Sequence, residues 1–150
     1  MRKWVAGVTV VSSAFEGEEH GMTVSSFTSI SAQPPMILVS LESSTRTHAL
    51  IFLSGFFGVT ILEQGQEWLS ERFAGRTGLE SGRFSGLNTF TMISGSPLLE
   101  GGLAYFDCRV VNTLRAGGST VFLAEVMAAR ASENSAALVY ANRTYRRLAQ

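Results

Sequence analysis

Residues 21–41 read GMTVSSFTSISAQPPMILVSL, and between Met22 and Ile30 lie five hydroxyl side chains: Thr23, Ser25, Ser26, Thr28 and Ser29. The surroundings are those of a strand, with Val24, Phe27 and Ile30 all at home in extended chain. Pro34 and Pro35 close that strand, because proline has no N–H to give a ladder. MILVSL, residues 36–41, then reads as a second, buried strand. Successive strand side chains point to opposite faces. With residues 20–31 as one strand, Thr23, Ser25, Phe27 and Ser29 share one face, and Val24, Ser26, Thr28 and Ile30 share the other. Both faces carry hydroxyls, so simple inside–outside patterning fails. Such a strand is either an edge with a wet face or a wall facing a ligand with many hydrogen-bonding edges.

Working outward, strand signals dominate. WVAGVTVVSS, residues 4–13, is β-branched and ends at a charged turn, which makes HGMTVSSFTSIS its expected hairpin partner. The opening MRKWVAGVTVVSSA imitates a secretory signal, but Thr9 interrupts the apolar run and the segment alternates as a strand. After MILVSL, the segment SSTRTHALIFLSG predicts a helix capped by Ser43 or Ser44, with Leu50, Ile51 and Leu53 as its stripe and Gly55 at its end. FFGVTIL is a further strand. EQGQEWLSERFAG predicts a second helix with Trp68, Leu69 and Phe73 on the core side. Residues 76–97 show little periodicity and read mostly as loop. LAYFDCRVVNTL and STVFLAEVMAAR flank a Gly-containing turn and predict a hairpin; LVY and TYRRL finish the chain. Six or seven strands and two short helices predict a mainly β, antiparallel barrel with helices over its ends.

The bulk numbers narrow the function. The chain has 150 residues, enough for one domain with a real core. Lys plus Arg equals 12, as does Asp plus Glu, so there is no electrostatic footprint for nucleic acid. Arg143, Arg146 and Arg147 cluster near the end, enough for one anionic group. Cys108 is the single cysteine, so no intrachain disulfide is possible and a reducing, cytoplasmic setting is expected. It alternates with Ala104, Phe106 and Val110 and reads as a core residue. No apolar run approaches a membrane span.

No chemistry of a familiar self-sufficient kind stands out. His20 and His48 are the only histidines, and no spacing resembles a metal site. No two glycines are separated by one residue, which excludes a GxGxxG fingerprint. No nucleophile elbow occurs. Chemistry without a catalytic side chain points to a cofactor. The start of the first predicted helix, SSTRTH at 43–48, could simply be capped, with Arg46 solvated; it also offers free N–H groups, a guanidinium and the Thr47 hydroxyl to a phosphate. Beside a hydroxyl-lined strand, that makes a holder for a phosphorylated ligand, and a flavin mononucleotide needs this assortment of contacts.

The sequence resembles the flavin reductase family of the FMN-binding split-barrel fold. The resemblance is carried by AGVTVVSS, HGMTVSSFTSISAQPPMILVSLESSTRTH, SGFFGVTIL, LSERFAGR, GSPLLEGGLAYFDCRVV and LVYANRTYRRL, in family order over nearly the whole chain. It implies a single split-barrel domain over 1–150 that reduces FMN or FAD with NADH or NADPH. Reduced flavin would diffuse to a separate oxygenase component. The alternative it leaves is a flavin carrier or electron-transfer module without reductase activity. By the same resemblance Thr23, Val24, Ser25 and Ser26 line the ring and ribityl chain, and Thr28 and Ser29 continue that wall. Ser40, Leu41 and Glu42 flank the ring; Thr45, Arg46 and Thr47 hold the phosphate; Phe73, Ala74 and Gly75 close the pocket. Ser119, Arg143, Tyr145 and Arg146 lie on the nicotinamide side. A homodimer completes the pocket, with no metal, nucleic acid or membrane. Tyr140 and Tyr145 either flank the nicotinamide or close the barrel; His48 is expected at the surface or as a cap. Many relatives carry Gly-Asp-His at the hairpin turn, where this chain has Gly117-Gly118-Ser119.

Overall fold

The computed structural model describes residues 1–79, 81–133 and 136–149. The first hairpin forms as expected. Ala6–Gly7 (β1) and Thr9–Phe15 (β2) lead to a two-residue turn, Glu16-Gly17, with φ of 48° and 82°. Positive φ at both positions suits the right-handed twist of the strands. Glu18–Val24 (β3) then returns antiparallel, Phe15 opposite Glu18 and Thr9 opposite Val24.

The hydroxyl-rich stretch is not one strand. It breaks at Ser25, Ser26 and Phe27, and Thr28–Ala32 (β4) starts afresh. Residues Gln33 and Pro34 turn β4 back into Pro35–Glu42 (β5), with Ala32 opposite Pro35. Arg46–Ser54 (α1), Phe56–Ile61 (β6) and Glu67–Phe73 (α2) follow. Thr89–Phe90 (β7), inside the expected loop region, pairs with Leu98–Leu99 (β8) just beyond it in a small two-stranded sheet. Ala104–Ala116 (β9) and Ser119–Ala131 (β10) form the long hairpin. Val139–Ala141 (β11) and Thr144–Arg146 (β12) close the chain and pair with β1.

Seven strands share one sheet in the order β3-β2-β6-β9-β10-β5-β4. β3 and β4 therefore stand at its two ends, although three residues connect them. Four Cα steps reach at most about 14 Å, whereas seven strands laid flat would span about 29 Å. The sheet must roll up until its ends meet. No ladder joins those ends among the described strands, so the barrel is split along one seam. Ser26 Oγ sits in that seam, accepting from the Ser40 N–H and donating to the Ser40 carbonyl, each at 2.9 Å. Phe27 packs on Phe106 beside it, centroids 5.6 Å apart. The break in the pattern is thus the point where one sheet edge hands over to the other.

Two cores follow. Val11, Val24, Ile37, Val39, Leu41, Phe57, Val59 and Phe122 fill the barrel, joined by Ile51 of α1 and by Cys108. Burial and the neighbouring Asp107 carboxylate push the Cys108 thiol up to about 12, so it remains a protonated core group as expected. Val8, Val10, Leu62, Leu69, Phe73 and Leu138 form the second core, with Tyr140 and Tyr145 packed against it. Three expectations need correction here. Thr45, not Ser43 or Ser44, caps α1, its Oγ1 accepting from the His48 N–H at 3.3 Å. Leu53 points outward at 59% exposure; Thr47, Leu50 and Ile51 form the buried face, because α1 lies on β2 and β3 rather than under them. Trp68 is 55% exposed, and Leu69, Ser70 and Phe73 face in. α2 is only seven residues long, so a small rotation decides which side packs.

Candidate functional site

The end of β3, the inner side of α2 and the β11–β12 hairpin enclose a cavity of about 160 Å³, lined by Val8, Thr23, Ser25, Ser70, Ala74, Arg76, Tyr140 and Tyr145. Its walls are fixed by their own bonds. Thr23 Oγ1 donates to the Ser70 carbonyl at 2.6 Å, locking the end of β3 onto α2. The Tyr145 phenol donates to Glu71 Oε1 at 2.6 Å, and its oxygen lies 2.8 Å from Ser70 Oγ. Arg76 Nη1 bonds both Glu71 oxygens, at 2.9 and 3.1 Å. The Tyr145 hydrogen bond, helped by Arg76, holds the Glu71 carboxyl below the usual range. Burial, together with that carboxylate, pushes the Tyr145 phenol up. Tyr140 meets Tyr145 edge to face, centroids 5.2 Å apart. An adjoining cavity of about 300 Å³ shares Ser25 and Tyr140 and adds Arg2, Trp4, Asn142 and Arg143. A hollow of about 380 Å³ on the outer sheet face is larger, but Ile30, Leu38, Leu114, Val121 and Leu123 dominate it. Convergent polar groups over apolar walls favour the cavity at α2 as the functional one.

The structure thus gathers Thr23, Ser25, Ala74 and Tyr145 from three separate segments, with Arg143 next door. Other expected residues fall nearby or elsewhere. Ser26 and Ser40 form the seam. Thr28 and Ser29 are exposed on β4. Val24, Leu41 and Phe73 are core side chains, which leaves their backbone for any ligand. Gly75, at φ 76°, ends the α2 segment, and a side chain there would meet Arg83. Arg83 Nη1 donates to the carbonyls of Gly21 and Phe73, at 2.9 and 3.1 Å, and ties β3 to the Phe73–Gly75 segment.

At α1 the expected anion-binding groups are largely engaged already. Thr45 caps the helix. Thr47 is fully buried, its Oγ1 2.8 Å from His20 Nδ1. Burial, and then the Arg83 guanidinium, hold the His20 imidazole below its ordinary value. Arg46 pairs with Glu18 across an exposed surface. Glu42, exposed at the end of β5, lies opposite Ser119. Ser119 and the Gly117-Gly118 turn therefore neighbour α1, whereas Arg143, Tyr145 and Arg146 belong to the hairpin beside α2. His48 is neither a free surface group nor a cap: its Nε2 lies 2.8 Å from Thr120 Oγ1.

Sequence reasoning missed Ser70, Glu71, Arg76, Arg83 and His20. The first three stand around the LSERFAGR segment, where the helical stripe drew notice to Trp68, Leu69 and Phe73 instead. It also missed Asp107, fully buried on β9, whose carboxylate accepts the N–H groups of Ile93 and Ser94 at 2.7 and 2.8 Å.

Comparison with known proteins adds to this geometry. The family model described as "Flavin reductase like domain" matches residues 1–149. The chain is 39% identical over 134 residues to the NADH-dependent flavin reductase StyB of Pseudomonas fluorescens, covering 89% of this chain and 76% of that protein. The structure of the NADH:FAD oxidoreductase SgcE6 of Streptomyces globisporus C-1027, solved with NAD and FAD fragments, superposes with a TM-score of 0.90. It is 30% identical, over 98% of this chain and 87% of that one. The styrene monooxygenase flavin reductase of Pseudomonas putida S12 superposes with a TM-score of 0.87 at 35% identity, over 99% of this chain and 94% of that one. With the split barrel and the expected segments in place along nearly its whole length, the chain belongs to the flavin reductase like domain family.

Proposed function

We propose that the chain, as one domain over 1–150, is an NAD(P)H:flavin oxidoreductase that reduces FMN or FAD, with NADH the expected donor. The reduced flavin leaves for a separate oxygenase component. The observation that carries the reading is that Thr23 and Ser25 open onto a cavity with phenol walls and the Arg76 guanidinium, in a chain matched to this family over 1–149. That donor set suits a flavin, whose ring needs a flat apolar wall and hydrogen-bonding groups along one edge. When bound, the flavin supplies the hydride-accepting ring, so no side chain of the protein need act as acid or base.

The protein's share is binding and orientation, which alone supply a large part of a barrier reduction. Thr23, Val24, Ser25 and Ser26 line the ring side, Thr28 and Ser29 extend it, and Ser40, Leu41 and Glu42 flank it across the seam. Phe73, Ala74 and Gly75 close the pocket. Thr45 holds the opening turn of α1 as its cap, Thr47 acts through a backbone N–H of that turn, and Arg46 exchanges Glu18 for the phosphate. Ser119, Arg143, Tyr145 and Arg146 meet the nicotinamide nucleotide. The chain works as a homodimer in the cytoplasm. The apolar outer face, with Ile30 48% and Leu114 66% exposed, supports a second copy.

The test is oxidation of NADH and NADPH, followed by nicotinamide absorbance, with FMN, FAD or no flavin. Flavin-dependent turnover is expected, fastest with NADH. Flavin binding without turnover would overturn the reductase and leave a carrier, the reading that Ser119 in place of histidine favours.

A further inference from the structure

The long hairpin ends in a loose tip. Gly117, at φ 59°, and Gly118 form it, and every residue from Val111 to Gly118 is exposed. Two adjacent glycines give the tip many alternative conformations. Contacts from outside the hairpin's own ladder must therefore hold it in one place: β5 pairs with it as far as Glu42 opposite Ser119, and the start of α1 adds contacts beyond that ladder. The Ser43 N–H donates to the Gly118 carbonyl at 2.9 Å. His48 Nε2 lies 2.8 Å from Thr120 Oγ1, and Ser43 Oγ lies 3.4 Å from the same oxygen. Thr120 is 4% exposed, so its hydroxyl has little access to water as an alternative partner.

His48 is itself held. Its ring lies between Phe52 and Phe122, with centroid distances of 6.0 and 5.3 Å. The residue before it, Thr47, is fully buried and bonded to His20 of β3. A line of contacts thus runs from β3 through His20, Thr47 and His48 to Thr120 on β10. It sets the hairpin tip at a fixed place relative to the strand that carries Thr23 and Ser25.

We propose that His48 is a positioning residue for the nicotinamide nucleotide: through Thr120 it fixes the Gly117–Ser119 turn against which that nucleotide docks. The inference rests on the flavin reductase reading above, which puts Ser119 on the nicotinamide side. Ser119 offers one hydroxyl and no charge, so its contribution depends on where the backbone holds it. His48 supplies that placement from a neighbouring element without touching the nucleotide.

The experiment compares wild type, His48→Phe, His48→Gln, Thr120→Val and the double variant His48→Phe/Thr120→Val in steady-state flavin reduction. Phe keeps the ring between Phe52 and Phe122 and removes the hydrogen bond. Gln returns a polar atom near the Nε2 position. His48→Phe is expected to raise the KM for NADH roughly two- to tenfold, the scale of one hydrogen bond. The kcat and the KM for flavin are expected to stay within about twofold, the pattern of lost uniform binding. His48→Gln should recover most of the loss. The double variant should be no worse than either single one, because both remove the same contact. An unchanged KM for NADH in folded His48→Phe and Thr120→Val would overturn the proposal. So would equal rises in the KM for NADH and for flavin, which signal general loosening. If His48→Phe does not fold, Thr120→Val, nearly equal in shape, carries the test. Wild type without NADH turnover would remove the reductase reading itself, a result distinct from active wild type with unaffected variants.

Discussion

The two helices sit on either side of β3 and use their polar residues in opposite ways. α1 has the better helix signals: Thr45 caps it, and Gly55 ends it at φ 79° with its N–H on the Ile51 carbonyl. Its hydroxyls and cation, which drew notice as a phosphate holder, are largely occupied by the protein itself. α2 has no side-chain cap bond and only seven residues. Yet Ser70 of α2, with Arg76 just beyond it, forms the cavity wall with Tyr145, and Glu71 bonds both Arg76 and Tyr145 behind it. Thr45 is satisfied by its own capping motif, while Thr47 and Arg46 are taken up by His20 and Glu18 of β3. A polar group on a short, weakly specified helix is left for tertiary partners, and here they surround a cavity.

The sharpest way to break this contrast is to remove what anchors α2. Phe73 is fully buried and meets Phe84 edge to face at 5.0 Å. Phe73→Ala should cost about 3–5 kcal/mol in urea unfolding and raise the KM for flavin; a cost below about 1 kcal/mol would mean α2 does not rest on this core. Next, Tyr145→Phe deletes one hydroxyl with two partners and should cost about 1–2 kcal/mol. It should also flatten the acid limb of stability. Glu71 is held below its unfolded value, so its contribution is complete above about pH 4.5 and is lost as pH falls through the lowered value. Thermal melts of wild type and Tyr145→Phe between pH 7 and pH 3 should converge on acidification; parallel curves would refute the coupling. On the other side, Thr45→Ala should cost about 1 kcal/mol by loss of the cap, and hydrogen exchange should quicken first in the opening turn of α1. The smallest effect on stability belongs to Arg46→Gln. Its pairing with Glu18 is exposed, so the change should be under about 1 kcal/mol. A salt-sensitive rise in the KM for FMN, with none for a riboflavin lacking phosphate, would place the phosphate at α1; equal rises would remove it from there.

The same contrast marks what was legible beforehand. Periodicity located both helices, β2, β5, β6 and the β9–β10 hairpin, because each rests on local spacing and turn residues. Thr23, Ser25 and Ala74 were singled out before the structure, by resemblance. Ser70, Glu71 and Arg76 were not, since a serine, a glutamate and an arginine on an amphipathic helix look like solvated residues. The helical stripe predicts Trp68 in the core, but Leu69 and Phe73 already fill the face that α2 turns inward.

The sequence by itself determined that this is a mainly β chain with two short helices, a Gly-Gly hairpin tip and no intrachain disulfide. Those properties depend on composition and on neighbours a few residues away. Tertiary structure alone decided that the hydroxyl stretch divides between the two ends of a rolled sheet. It also decided that Ser26 stitches the seam, that His48 reaches the hairpin, and that Tyr145 bonds Glu71. Each of these joins residues between 14 and 74 positions apart. The physical reason is that a strand's alternation says which side chains share a face, while the partner facing them is set by how the sheet closes.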